Sequence, residues 1–166
     1  MTCPEDSREV LAGARLRFAA EADIENLVTL INAAFVVEQV AIAGDRIDRI
    51  GVLKYMASGR FFVTENAGNL VGCVYVEKRG LRGYLGLLAV RTVEQGRGLG
   101  RSLAAEAERY FRNEGCSAVD LRLISARSQL VAFYEKLGFT VQGTSPMSES
   151  APLKIPCHYI HMSKNL

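Results

Sequence analysis

One run of residues constrains this chain more than any other. An apolar stretch, Tyr84-Leu85-Gly86-Leu87-Leu88-Ala89-Val90, precedes Gln95-Gly96-Arg97-Gly98-Leu99-Gly100-Arg101, and Ser102 to Phe111 follows with helical periodicity. The order reads strand, glycine-rich loop, helix. A helix N-terminus carries unpaired N–H groups and the positive end of the macrodipole, so such a loop is suited to an anion. Glycines allow close backbone approach, and Arg97 and Arg101 add charged donors. No Asp or Glu lies between Gln95 and Leu103 to oppose an anionic group. The reading is a phosphate site; the bland alternative is a tight strand-to-helix connection that holds nothing.

Spacing narrows the kind of phosphate site. A dinucleotide fingerprint needs G-x-G-x-x-G, but the sixth position counted from Gly96 is Arg101 and from Gly98 it is Leu103. A P-loop needs G-x-x-x-x-G-K-[ST], and the loop holds no lysine. What remains is Q-x-x-G-x-G after a strand ending Leu88-Ala89-Val90. That pattern resembles the coenzyme A pyrophosphate loop of the GNAT superfamily, the acetyl-CoA-dependent N-acetyltransferases. Downstream, Phe133-Tyr134-Glu135-Lys136-Leu137-Gly138-Phe139 resembles the same superfamily's F-Y-x-x-x-G-F segment. Both motifs stand in family order, separated by a helix and a strand, and the resemblance spans residues 15 to 164.

Composition sets the outer bounds. A chain of 166 residues holds one domain with a full core, and 49% hydrophobic with 23% charged residues is ordinary for a globular protein. A net charge of +2 points to neither nucleic acid nor an anionic membrane as partner, although Arg91, Arg97 and Arg101 gather around the loop. Cys3, Cys73, Cys116 and Cys157 form no C-x-x-C pair, and with His158 and His161 they do not reach a recognised zinc spacing, so no metal is expected. Scattered thiols, a polar N-terminus and no apolar run near ~20 residues lead to an expected cytoplasmic location.

Along the chain, residues 1–13 read as a flexible leader and 14–166 as the domain. Arg15-Leu16-Arg17-Phe18 alternates as a strand, and Ile24, Leu27, Val28 and Ile31 form a helical stripe running to Phe35. Val36 to Asp45 is too apolar for an ordinary solvated loop. Asp45 or Asp48 caps a second helix with a stripe of Ile47, Ile50, Leu53 and Met56, closed by Gly59. Residues 61–65 and 70–77 form a hairpin around Asn66-Ala67-Gly68-Asn69. Few charges put 84–90 at the sheet centre, buried on both faces. Leu103, Ala107, Tyr110 and Phe111 form the main helix stripe, ended by Gly115. Strand 118–124, the short helix with Tyr134, a strand from Phe139, an ordered loop at 145–156 and strand 157–164 complete one α+β domain. Its expected sheet is mixed and mostly antiparallel, with flanking helices. His158 and His161 are expected on one strand face, in a structural or rim role.

The resemblance implies splayed central strands, 84–90 parting from 118–124, with acetyl-CoA as cosubstrate. Leu88, Ala89 and Val90 would meet the pantetheine arm, and Gln95, Gly96, Arg97, Gly98, Leu99, Gly100 and Arg101 would hold the pyrophosphate. Tyr134 would contact the coenzyme and donate a proton to the leaving thiolate; its plain alternative is an interface tyrosine packed beside Phe133. The implied reaction is direct attack by a primary amine of a small molecule or peptide in a ternary complex, catalysed by a monomer or homodimer. Two departures stand out. Many members carry a glutamate in the strand matching 84–90, and here there is none, which leaves Glu38 as candidate base, with Asp45 beside it. Many also carry a coenzyme-binding asparagine where this chain has Arg127, so Ser125 or Ser128 would substitute. The missing glutamate keeps open a second reading, a non-catalytic acyl-CoA-binding or sensor domain.

Overall fold

Short turns built from glycine and asparagine divide this chain into strands, and apolar stripes fold four segments into helices. The structure, a computed structural model, describes residues 8–9 and 13–166. In order it contains β1 (Arg8–Glu9), β2 (Arg15–Phe18), α1 (Ile24–Phe35), α2 (Arg49–Ser58), β3 (Arg60–Asn66), β4 (Asn69–Arg79), β5 (Arg82–Val90), α3 (Leu99–Asn113), β6 (Ala118–Ile124), α4 (Gln129–Glu135), β7 (Thr140–Pro146) and β8 (His158–Asn165). Single 3-10 turns lie at Val36–Val40, Thr92–Glu94 and Ser125–Arg127, among others. The leader expected over 1–13 lies mostly outside the described residues; Arg8–Glu9 pairs with β2.

Among the described residues the strands form one sheet in the order β1-β2-β3-β4-β5-β6-β8-β7. Every neighbouring pair is antiparallel except β5 and β6, which are joined through α3 and run parallel. The β3–β4 hairpin turns on Ala67 at φ +49° and Gly68 at φ +78°, two consecutive left-handed residues that match the twist of the flanking strands. The result is the expected α+β architecture, with a mixed, mostly antiparallel sheet.

Two cores lie on the two faces. Leu85, Leu103, Phe111, Val119, Leu121, Phe139 and Met162 pack under α3 and α4. Ile24, Leu27, Ile31, Val52, Phe61, Val63 and Tyr75 pack under α1 and α2. The α3 core depends on Gly83: a Cβ there would lie 2.4 Å from the Phe111 ring, so only glycine lets α3 approach β5 this closely. Glu108 of α3 is buried and accepts two hydrogen bonds of 2.9 Å from Lys164 of β8, whose ammonium also donates to Leu137 O at 2.6 Å. That cluster ties α3, β8 and the segment after α4 together.

Three sequence expectations need correction. The second helix begins on an Asp48 cap, with Gly51 N donating to its carboxylate at 2.7 Å, but Ile50 and Leu53 are exposed and the buried side is Val52 with Tyr55 and Met56. These three fall at i, i+3 and i+4, so the helix is rotated from the expected stripe, and Ile47 is buried ahead of it. Strand β5 is central, but Tyr84, Gly86, Leu88 and Val90 are half-exposed because the sheet opens beside them. His158 and His161 are three apart on β8, which puts them on opposite faces of an alternating strand. Among the described residues, no helix is long and apolar enough to cross a membrane.

Candidate active site

The site arises where the sheet fails to close. Strand β5 pairs with β6 only at Arg82, Gly83 and Tyr84, facing Ala118, Val119 and Asp120. From Leu85 onward the β5 edge has no strand partner on that side. The gap is a cleft of about 780 Å³, floored by Leu85 to Val90 and walled by Leu121 to Ile124, with Tyr134 between. An unpaired strand edge inside a cleft offers a row of N–H and C=O groups to an extended ligand carrying amides.

A bulge accompanies the splay. Cys73 faces Ala89 and Tyr75 faces Gly86, so Leu87 and Leu88 stand against Val74 alone. Leu87 has φ +47°, a left-handed conformation uncommon for a branched side chain. Its carbonyl accepts a weak bond from the Cys73 thiol, at 3.5 Å. The extra residue reverses side-chain parity: Leu85 packs on the α3 side, whereas Leu87 and Ala89 pack on the α1 side and Leu88 and Val90 return to α3. The bulge thus takes backbone groups of residues 87–88 out of the β4 ladder at the cleft floor.

One end of the cleft is the glycine loop. The amides of Gly96 to Arg101 donate to no backbone carbonyl; the first helical bond runs from Ser102 N to Gly98 O at 3.0 Å. Gly96 at φ +78° and the N-cap Gly98 at φ +82° both require glycine. Gln95 anchors the loop by donating from Nε2 to Val90 O at 3.1 Å. Six amides without a backbone acceptor at a helix start make an arrangement suited to an anion. Gln95, Gly96, Gly98, Leu99, Gly100 and Arg101 line the cleft. Arg97 does not; it points outward and pairs with Glu94 at 3.2 Å. Glu94, outside the motif as read, lines the cleft itself.

Tyr134 sits at the middle, 5% exposed, with its ring edge-on to Phe133 and Phe139 at 5.0 and 5.7 Å. Its hydroxyl has no hydrogen-bond partner among the described residues and faces the cleft. Burial raises the phenol pKa, opposed by the Arg127 charge, so the hydroxyl keeps its proton throughout the neutral range.

At the other end, α1 and the Val36–Val40 turn bring in Phe35 and Glu38, and α2 brings in Tyr55. A side pocket of about 210 Å³ continues the cleft here, bounded also by Arg46, Arg122 and Tyr159. Glu38 is 9% exposed and stands 3.9 Å from Arg46 and 3.8 Å from Arg127. Burial raises its pKa, and the two guanidinium groups partly offset that rise. Asp45 lines the same side pocket.

The structure therefore gathers Glu38, Leu88, Ala89, Val90, Gln95, Gly96, Gly98, Leu99, Gly100, Arg101 and Tyr134 around one cleft, and leaves Arg97 and Ser128 outside its lining. Ser125 is occupied, accepting from His158 N at 3.1 Å and bonding Cys157 Sγ at 3.4 Å. His161 bonds Ser145 Oγ at 2.6 Å, away from the cleft lining. Sequence reasoning missed Phe35, Tyr55, Tyr84, Arg46, Arg122 and Tyr159. For Phe35 and Arg46 the warning was the excess of apolar residues over 36–45 between them; the other four lie in elements with no such signal.

A splayed parallel pair, a cradle of free amides and a buried tyrosine define a single-domain α+β protein organised around a cleft through its sheet. The model of the acetyltransferase (GNAT) family matches residues 24–139, and the chain belongs to that family. It is 32% identical over 156 residues to a mycothiol acetyltransferase of Propionibacterium freudenreichii, covering 90% of this chain and 49% of that protein. It is also 32% identical over 150 residues to a mycothiol acetyltransferase of Thermobispora bispora, covering 84% and 51%. The chain thus spans about half the length of these curated relatives. Among solved structures, the ribosomal-protein-S18-alanine N-acetyltransferase of Escherichia coli superposes with a TM-score of 0.72 at 17% identity, over 92% of this chain and 93% of that one. The PaiA N-acetyltransferase of Thermoplasma acidophilum, solved in complex with coenzyme A, superposes with a TM-score of 0.73 at 16% identity, over 92% and 99%. Both likenesses concern the fold.

Proposed function

We propose that the protein is an N-acetyltransferase that moves an acetyl group from acetyl-CoA to a primary amine by direct attack in a ternary complex. The observation that carries this reading is the continuity of one cleft. It runs from the free amides of Gly96–Arg101, along the unpaired β5 edge and past the Tyr134 hydroxyl, to buried Glu38. That sequence of groups fits the parts of acetyl-CoA in order: pyrophosphate, pantetheine amides and thioester.

Each group has a role. The cradle and Arg101 take the diphosphate, since a helix start and a guanidinium both favour negative charge. Backbone groups of Leu88 to Val90 extend the sheet by one pantetheine strand. Glu38, its pKa raised by burial, accepts a proton from the incoming ammonium, directly or through water. The neutral nitrogen forms the new C–N bond, and a backbone N–H at the 87–88 bulge stabilises the oxyanion. The C–S bond then breaks, and Tyr134 donates its proton to the departing sulfur. Loss of the second amine proton restores the phenol and leaves coenzyme A and the N-acetyl product. A thiol pKa of ~8.5 makes this leaving group modest, so such an acid contributes roughly 10²–10⁴-fold.

The test is coenzyme A release with amino acids, amines, polyamines, aminoglycosides and peptides, each with mass detection of the N-acetyl product. An acetylated amine is the expected result. Tight acetyl-CoA binding without transfer to any amine in the panel would favour the sensor reading instead.

A further inference from the structure

Arg127 carries a buried Nε with no hydrogen-bond partner. Its guanidinium lies 3.8 Å from Glu38 Oε1, beyond hydrogen-bond distance, and rests 5.8 Å from the Phe35 ring centre. Arg46 sits 3.9 Å from the other Glu38 oxygen and 5.5 Å from the same ring. Glu38, though buried, makes no side-chain hydrogen bond among the described residues. A carboxylate and two guanidinium groups are thus held close together without direct hydrogen bonds. The arrangement leaves Arg127 Nε desolvated and unsatisfied, which is unfavourable unless a further molecule completes the site. Arg122 borders the same pocket, stacked 4.3 Å from the Tyr159 ring centre, with no carboxylate partner among the described residues.

We propose that the end of the cleft at Glu38, with the side pocket opening from it, takes a zwitterionic α-amino acid, its carboxylate on the Arg127 fork with Arg46 in support and its ammonium on Glu38. The inference rests on the transferase reading and names its acceptor class. Both groups have a complement: a planar fork matches a carboxylate in bidentate fashion, and a carboxylate that makes no hydrogen bond to its two guanidinium neighbours matches an ammonium. The ligand's charge separation fits the opposed charges of Glu38 and Arg127. Arg46, Arg122 and Arg127 at this end of the cleft, against Glu38 there and Asp45 in the side pocket, leave a positive excess, which disfavours polyamines and aminoglycosides and favours an acceptor with its own anion. The side pocket adds about 210 Å³, about seven waters at ~30 Å³ each, which has room for the side chain of such an amino acid. Phe35, Tyr55 and Tyr159 give the pocket apolar walls for the side chain of that amino acid.

The experiment titrates L-α-amino acids and their matched carboxamides into the full chain saturated with coenzyme A, followed by calorimetry. At least one amino acid should bind tenfold or more tighter than its carboxamide. Arg127→Gln should abolish that preference and Arg46→Gln should weaken it, while coenzyme A affinity in both variants stays within threefold of wild type. The proposal is overturned if no amino acid is preferred over its carboxamide, if the preference survives in Arg127→Gln, or if that variant loses coenzyme A affinity instead. Coenzyme A release from acetyl-CoA, run on the same compounds, separates the two readings. An amino acid that binds with the expected preference while no amine in the panel is acetylated refutes the transferase reading and leaves the pocket assignment standing. Acetylation confined to amines without a carboxylate refutes the pocket assignment alone.

Discussion

Tyr134→Phe removes one oxygen from the centre of the cleft, and the structure separates its effect on stability from its effect on chemistry. The ring keeps its edge-on contacts with Phe133 at 5.0 Å and Phe139 at 5.7 Å, and the hydroxyl has no protein partner to leave behind. With no hydrogen bond broken and no cavity made larger than one oxygen, stability should change by less than about 1 kcal/mol. At this chain length that is a Tm shift of about 4 °C or less. Acetyl-CoA affinity should stay within about threefold, because the cradle at Gly96–Arg101 and the β5 edge are untouched. Turnover should fall about 10²–10⁴-fold, equivalent to about 2.7–5.4 kcal/mol of transition-state stabilisation. Since burial raises the phenol pKa, the wild type should show no loss of activity from Tyr134 ionisation on the alkaline side of neutrality. The assay is single-turnover acetyl transfer across pH, with thermal unfolding and calorimetry on the same preparations. An unchanged single-turnover rate in the folded variant would refute the acid assignment and leave Tyr134 a packing residue.

Other perturbations test the remaining groups. The Glu38 carboxyl has a raised folded-state pKa, so its ionisation opposes folding as pH rises from the unfolded value through the folded one. Glu38→Gln should therefore gain stability relative to wild type across that acidic window, and should lose the acidic limb of kcat/KM; a limb of the same apparent pKa and height in the variant excludes Glu38 as the base. Gly98→Val forces a branched side chain into φ +82°, costing about 1–2 kcal/mol of backbone strain, and should weaken acetyl-CoA binding in protein shown by circular dichroism to be folded; unchanged affinity would put the anion site elsewhere. Glu108→Ala strands Lys164 beside Leu137 O, and since Lys164 is partly exposed the loss should be about 2–3 kcal/mol, below the full cost of breaking a buried pair. Denaturant unfolding at neutral pH measures it, and a change under 1 kcal/mol would mean that the lysine escapes to solvent freely.

Local chemistry determined a large part of this protein from its sequence. Glycines at 96, 98 and 100 behind an apolar run specify a helix start with free amides, because backbone geometry there depends only on neighbouring residues. The Phe133-Tyr134 segment, the Asp48 cap and the Ala67-Gly68 turn are short-range features of the same kind. Stripe orientation was less secure: α2 is short and apolar on several sides, so contact with β3 and β4 chose Val52 and Tyr55 over Ile50 and Leu53. The bulge at Leu87–Leu88 was not legible at all. An extra residue becomes visible only against the register of β4, yet it reverses which side chains of β5 face which core. The meeting of Glu38, Arg46 and Arg127 was likewise decided in three dimensions. It needs the Val36–Val40 turn, the segment before α2 and the Ser125–Arg127 turn after β6 brought to one opening, and the gap between β5 and β6 that admits them is made by where their hydrogen bonding stops.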